Sequence, residues 1–252
     1  MKKSLFAVLF AMAFQAHAEE PKLVFSTGLD YSSGKYGQTE DTKITYVPFT
    51  GKYEVNRWTF KATVPYIQIE GPANVTPDSR IVVNGVRPVR SKESGLGDIV
   101  LGSSYNALSN LEQQLYVDVG GKVKLPTADD AKGLGSGKTD YSIYTDVYKT
   151  QGNITWLGTL GYKIFGDPTG INLNNVFYGS AGLSYKLSPV DSVGFVVDLR
   201  ERTTDGSTAL REYSLFYSHK FNETYKLQTY LVTGDTTSSV DIGGGAILAV
   251  TW

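Results

Sequence analysis

Apolar and polar residues alternate with period two along much of this chain. In the stretch 111–125, Leu115, Val117, Val119, Val123 and Leu125 fall on one face, and Gln114, Tyr116, Asp118, Lys122 and Lys124 on the other. Trp58, Phe60, Ala62, Val64 and Tyr66 oppose Arg57, Thr59, Lys61 and Thr63 in the same way. Val193, Phe195, Val197 and Leu199 oppose Asp198, Arg200 and Arg202, while Tyr213, Leu215, Tyr217 and Phe221 oppose Glu212, Ser214 and Lys220. Such alternation marks β-strands with two unlike faces. It predicts twelve strands, over 22–31, 42–50, 54–69, 96–107, 111–125, 138–149, 152–165, 175–187, 190–202, 209–221, 224–233 and 240–252. Most reach the ~9–11 residues that a tilted strand needs to cross a bilayer.

Short and long connections take turns along the chain. Thr50–Tyr53, Leu108–Asn110, Thr150–Gln151, Ser188–Pro189 and Asn222–Glu223 look like tight turns, rich in Gly, Asn, Ser and Pro. Between them lie longer polar segments at 32–41, 70–95, 126–137, 166–174, 203–208 and 234–239. This sorting puts every short turn on one side and every long loop on the other, which is the layout of an outer-membrane β-barrel. The fold class expected is therefore all-β: one antiparallel transmembrane barrel of about twelve strands, with short periplasmic turns and long extracellular loops.

Alternation alone does not say which face looks outward; the aromatic residues do. Trp58, Tyr66, Tyr105, Tyr162, Tyr185, Tyr213 and Trp252 stand near strand ends on the apolar face, where a membrane barrel carries its aromatic girdle. Burying many Asp and Lys side chains in a dry interior is costly, whereas a wet lumen accepts them. The last strand, Val240 to Trp252, also ends on an aromatic residue, as in barrels recognised by the assembly machinery, with Ile247 and Ala249 as apolar exceptions on its polar face.

The N-terminal segment adds an export address. Lys2 and Lys3, an apolar run from Leu5 to Phe14 and the small-x-small Ala16-His17-Ala18 predict a signal peptide over 1–18 and a barrel domain over 19–252. Loss of Lys2 and Lys3 takes the 24 basic residues to 22 against 25 acidic ones, a net charge of −3. That balance speaks against a nucleic-acid partner. The chain has no cysteine, so no disulfide supports the fold.

Few motifs suggest chemistry. Gly133-Leu134-Gly135-Ser136-Gly137-Lys138-Thr139 invites a phosphate-loop reading, but Lys132 stands where the pattern needs Gly and a strand follows instead of a helix. His219 is the one histidine beyond the signal segment. Its neighbour Ser218 points to the opposite face, so no Ser–His pair forms locally. Asp140, Asp146 and Asp198 lack the lumen-side His that a carboxylate protease would want. No metal-ligand spacing occurs. No catalytic site, metal or cofactor is expected.

Several ordered segments resemble a known family. They are Trp58-Thr59-Phe60-Lys61-Ala62-Thr63-Val64-Pro65-Tyr66, Gly95-Leu96-Gly97-Asp98-Ile99, Gly121-Lys122-Val123-Lys124-Leu125-Pro126-Thr127 and Gly133-Leu134-Gly135-Ser136-Gly137-Lys138-Thr139-Asp140-Tyr141. Together they are similar to the outer-membrane β-barrel "transporter" family also labelled "meta-pathway of phenol degradation". The resemblance implies a barrel that lets small solutes, aromatic or hydrophobic ones among them, cross the outer membrane. It also singles out Asp98, whose phase directs it into the lumen to pair with Lys122 or Lys124 or to meet a solute.

The expected function is passive passage of small solutes. The polar face supplies the pore-lining candidates: Asp98, Asp118, Lys122, Lys124, Asp140, Tyr144, Asp146, Asp198, Arg200 and Glu212, with Lys163, Lys186 and Lys226 on the same face. A closed-lumen structural or surface-interaction barrel is the alternative, and a barrel-wall hydrolase using His219 a weaker one. A twelve-stranded wall has a backbone radius of about 12 Å, too small for a wide water-filled pore once side chains enter. Expected partners are outer-membrane lipid, lipopolysaccharide and the assembly machinery reading the strand that ends at Trp252. The basic loop 70–95, with Arg80, Arg87, Arg90 and Lys92, carries an Asn84-Gly85 hairpin signal and reads first as a solvated loop, with contact to lipopolysaccharide phosphates or anionic solutes as the functional alternative.

Overall fold

The computed structural model describes residues 20–71 and 91–252. The signal segment and the Ile81–Arg87 hairpin therefore lie outside the described residues. Among those described, every regular element is a strand: β1 (Lys22–Gly34), β2 (Thr42–Val55), β3 (Trp58–Gly71), β4 (Ser91–Leu96), β5 (Ile99–Asn110), β6 (Leu115–Leu125), β7 (Asp140–Gln151), β8 (Ile154–Ile164), β9 (Val176–Lys186), β10 (Asp191–Arg200), β11 (Leu210–Lys220), β12 (Tyr225–Gly234) and β13 (Ile242–Thr251). All pair antiparallel with their neighbours, and β13 pairs with β1 from Val24↔Thr251 to Ser33↔Ile242. Among the described residues this closure leaves the full-length strands of the ring without a free edge, the condition for a backbone to sit in lipid.

The wall has twelve strands plus one short addition. β4 and β5 both pair with β3, at Tyr66↔Leu96 and Thr63↔Val100. They form one wall strand broken at Gly97–Asp98. Gly97 has no room for a side chain, since a Cβ there would stand 2.8 Å from Pro65 Cγ. Its N–H donates to Pro65 O at 2.8 Å instead of continuing the ladder.

Some expected boundaries move. β2 runs straight through 50–53, and the turn falls at Asn56–Arg57. Alternation explains this: Thr50, Lys52 and Glu54 keep facing inward while Phe49 and Tyr53 keep facing outward. Asn56 takes the left-handed conformation (φ 53°) that a two-residue hairpin requires and that Asn tolerates. The turns expected at Leu108–Asn110 and Thr150–Gln151 also shift outward, to Leu111–Gln114 and Gly152–Asn153. The segment 70–95 is shorter than expected, because strand continues to Gly71 and resumes at Ser91.

The outer surface is apolar and uncovered. Ile143, Leu160, Leu231 and Trp252 are each about two-thirds exposed, at 68%, 65%, 66% and 66%. Trp58, Tyr66 and Tyr185 share this face as exposed rings, and Tyr105, Tyr162 and Tyr213 as half-exposed ones. Trp58 lies 5.0 Å from Tyr105, Tyr162 lies 4.8 Å from Phe177, and Phe195 stacks on Tyr213 at 6.4 Å. An apolar exterior of this extent needs a non-aqueous surround.

Candidate functional site: the lumen

Glycine and aromatic residues set the inner surface. Gly120 pairs with Tyr144, which pairs with Gly161, which pairs with Tyr178 across β6 to β9. A second row runs Gly194, Phe216, Tyr230, Gly245 across β10 to β13. A Cβ at any of these four glycines would collide with the paired ring. The missing side chains let the rings lie flat along the wall. Tyr230 reaches over Gly245 to hydrogen-bond Asp30 on β1. Leu157, Val196, Phe216 and Tyr230 form a buried apolar cluster, with Tyr148 and Ile247 against it. Ile247, an apolar exception on a polar face in the sequence, thus has a packing role.

The outer end of the lumen is dry. Asp98, Lys124, Asp140 and Lys163 form a row of side chains that are 0–1% exposed. Lys124 Nζ stands 2.9 Å from Asp98 and 3.5 Å from Asp140, and Lys163 Nζ stands 2.8 Å from Asp140. Asp98 therefore pairs with Lys124, not Lys122. The row also holds loops. Ala128 N–H donates to Asp98 at 2.9 Å, Lys124 Nζ donates to Ser136 Oγ at 2.6 Å, and Gly166 N–H donates to Asp140 at 3.2 Å. Ile99 N–H donates to Thr127 Oγ1 at 2.9 Å, and that hydroxyl donates to Gly97 O at 3.2 Å. So pinned, the 126–139 loop turns inward. Leu134, 1% exposed, packs on Ile44, Tyr46, Ile67 and Ile69 from β2 and β3. Gly133 and Gly137 shape that loop with φ of 71° and 65°.

A different environment surrounds the polar residues of β3, β6 and β7. Lys61 lies on the inward face of β3, opposite the outward Phe60 and Val64, yet its side chain is open to solvent. Lys122, Tyr144, Asp118 and Asp146 beside it are half-buried. This combination describes a wet cavity. Lys61 and Lys122 flank Gly102 of β5, each paired with it across one strand. Lys122 Nζ stands 4.4 Å above the Tyr144 ring. Asp146 accepts a hydrogen bond from Thr159 Oγ1 at 2.7 Å, and Asp118 one from Asn106 Nδ2 at 2.7 Å.

The remaining candidates are dispersed. Arg200 and Glu212 are buried on β10 and β11, where Glu212 also accepts Val240 N–H at 3.0 Å. Asp198 is half-buried and pairs across strands with Glu212. Outside the lumen, Arg211 donates to Asp235 at 2.8 Å, and this bond holds the Asp235 carboxyl below the usual carboxylate range. His219 faces outward at the turn side. Its Nδ1 lies 2.7 Å from Asp191, which also accepts bonds from Tyr217 and Ser188 hydroxyls at 2.6 Å each. Ser188 and His219 both engage Asp191, so neither is placed to activate the other, and Ser218 is buried on the opposite face.

Over residues 24–245 the chain matches the family described as "Putative MetA-pathway of phenol degradation". The chain belongs to that family. Among solved structures, it is similar to the COG4313 outer membrane channel from Pseudomonas putida F1, with 12% identity, a TM-score of 0.70, and coverage of 96% of this chain and 98% of that one. The KdgM porin matches at 7% identity and TM-score 0.56, covering 91% of this chain and 98% of that one. The translocator domain of the autotransporter NalP from Neisseria meningitidis matches at 13% and 0.52, covering 98% and 92%. At these identities the likeness concerns the fold, which all three share as a barrel. None of the curated proteins compared matches the chain. Three of the four resembling segments come together in the structure: Asp98, Lys124, Thr127, Leu134, Ser136 and Asp140 all meet in the dry outer end of the lumen.

Proposed function

We propose that this protein is a narrow outer-membrane channel for passive passage of small solutes, exported through cleavage after Ala18 and capped from outside by the 126–139 loop. The wet belt at Lys61, Lys122 and Asp146 carries this reading. A barrel that served only as a surface scaffold would gain stability by filling that space or pairing those charges. Family membership and the channel and porin among the similar structures support the same conclusion. Pore-lining roles fall to Lys122, Tyr144, Asp118 and Asp146. Asp98, Lys124 and Asp140 act as anchors of the cap.

The dry outer end, with Leu134 seated on four side chains, favours a second reading in which the lumen stays shut. Planar-bilayer recording separates the two. A channel gives small, discrete conductance steps and lets small sugars or amino acids swell proteoliposomes. Absence of both, in the native chain and in a Leu134→Ser variant with the cap loosened, overturns the proposal and leaves the closed barrel.

A further inference from the structure

The acidic and basic residues of the wet belt are treated unequally by the wall. Asp146 has a hydroxyl donor in Thr159 and Asp118 an amide donor in Asn106. Lys52, next along the same row, is occupied by Glu54 at 2.8 Å. Lys61 has no hydrogen-bond or ion-pair partner among the described residues, and Lys122 meets only the Tyr144 ring. Asp146 is near enough to act on both ammonium groups through space but makes an ion pair with neither. Gly102 leaves bare backbone between the two lysine stems, which start two strand spacings apart, roughly 10 Å. Beside them the flat Gly120–Tyr144–Gly161–Tyr178 row offers aromatic surface.

Resting on the channel reading above, we propose that Lys61 and Lys122 form an anion subsite in the lumen that takes the carboxylate of a small aromatic acid, whose ring lies against the tyrosine row. Two ammonium groups supply six N–H donors to one carboxylate, and charge-assisted bonds of this kind are the strong ones. Keeping the acids engaged by neutral donors leaves the lysines' donors for a solute. The ring adds stacking on tyrosine that an aliphatic acid lacks.

The experiment uses the folded full-length barrel in planar bilayers, with benzoate, benzyl alcohol and acetate as probes. Benzoate is expected to block the ionic current in a concentration-dependent way. Benzyl alcohol lacks the charge and acetate the ring, and both are expected to block at least tenfold more weakly. A K61Q/K122Q variant is expected to lose benzoate block tenfold or more, and K61R/K122R to retain it. Each variant is first checked for heat-dependent mobility in SDS, and single K61Q stands in if the pair fails to fold. Equal block in native and double-variant barrels, or equal block by benzoate and benzyl alcohol, overturns the subsite. If neither the native chain nor the Leu134→Ser variant passes current or swells proteoliposomes, the channel reading falls. The subsite is then decided by equilibrium dialysis of benzoate against the detergent-folded Leu134→Ser barrel: saturable binding lost on K61Q/K122Q supports it, and no binding overturns it.

Discussion

Two lysines two positions apart on β6 face the same lumen and live differently. Lys124 is dry, held between Asp98 and Asp140. Lys122 is half-buried in a wet cavity and has an aromatic ring for company. The difference lies in what covers them. The inward 126–139 loop removes water from Lys124, so that lysine needs carboxylates to compensate its lost hydration. Among the described residues no such loop covers Lys122, so water does that work and no partner is required. A charge inside a barrel is thus a structural part where the lumen is sealed and a chemical surface where it is not.

The largest effect that would break this contrast is on Lys124. Replacing it by Ala leaves Asp98 and Asp140 buried with less compensation and should cost about 3–5 kcal/mol. Lys61→Ala, in the wet belt, should change stability by less than about 0.5 kcal/mol. Urea unfolding midpoints of the detergent-folded barrels test both, and equal losses would erase the distinction. Next comes the cap itself. Leu134→Ala removes a fully buried side chain at a local cost of about 2–5 kcal/mol. The expected result is protease cleavage within 126–139 and a raised conductance, while cleavage resistance would mean that the ion row alone holds the loop. A third variant, Gly161→Val, forces Tyr178 off the wall at about 1–3 kcal/mol. It should lower the thermal midpoint, and pairing it with Tyr178→Ala should recover much of the loss. The smallest effect concerns the outer tether. Because the Asp235 carboxyl is held below its usual range by Arg211, its contribution is complete above ~pH 4 and fades as pH falls through the lowered value. Amide protection factors in 235–241, taken relative to intrinsic exchange at each pH, should therefore fall only in acid, and in Arg211→Ala they should be low at neutral pH as well.

Much of the wall was legible because period-two alternation is a local property. Leu115 to Leu125, Val193 to Leu199 and Tyr213 to Phe221 face as their sequence pattern predicts. The turn at Asn56–Arg57 was missed because Thr50-Gly51-Lys52-Tyr53 has turn composition, yet its Gly51 merely occupies an outward position in a continuing strand. The interrupted strand at Gly97–Asp98 was hidden because its cause, the close approach of Pro65 and Ile67, is thirty residues away in sequence. Asp98 was found through its motif, but its partner was left open between Lys122 and Lys124, since both share its face and only the loop decides. Tyr178, Phe216 and Tyr230 were missed as lumen residues. Their signal was available: each is an aromatic on a polar face that pairs with a glycine on the next strand. Reading it requires the register between strands, which a single sequence does not supply.

The Tyr230–Asp30 hydrogen bond has a consequence for how the cylinder is finished. It joins residues 200 positions apart, on β12 and β1, and must cross β13 to do so. Neither partner can meet the other until the first and last strands have zipped together in the correct alignment. The bond is thus a clasp fastened from within at the seam, and a barrel left one residue out of step could not fasten it.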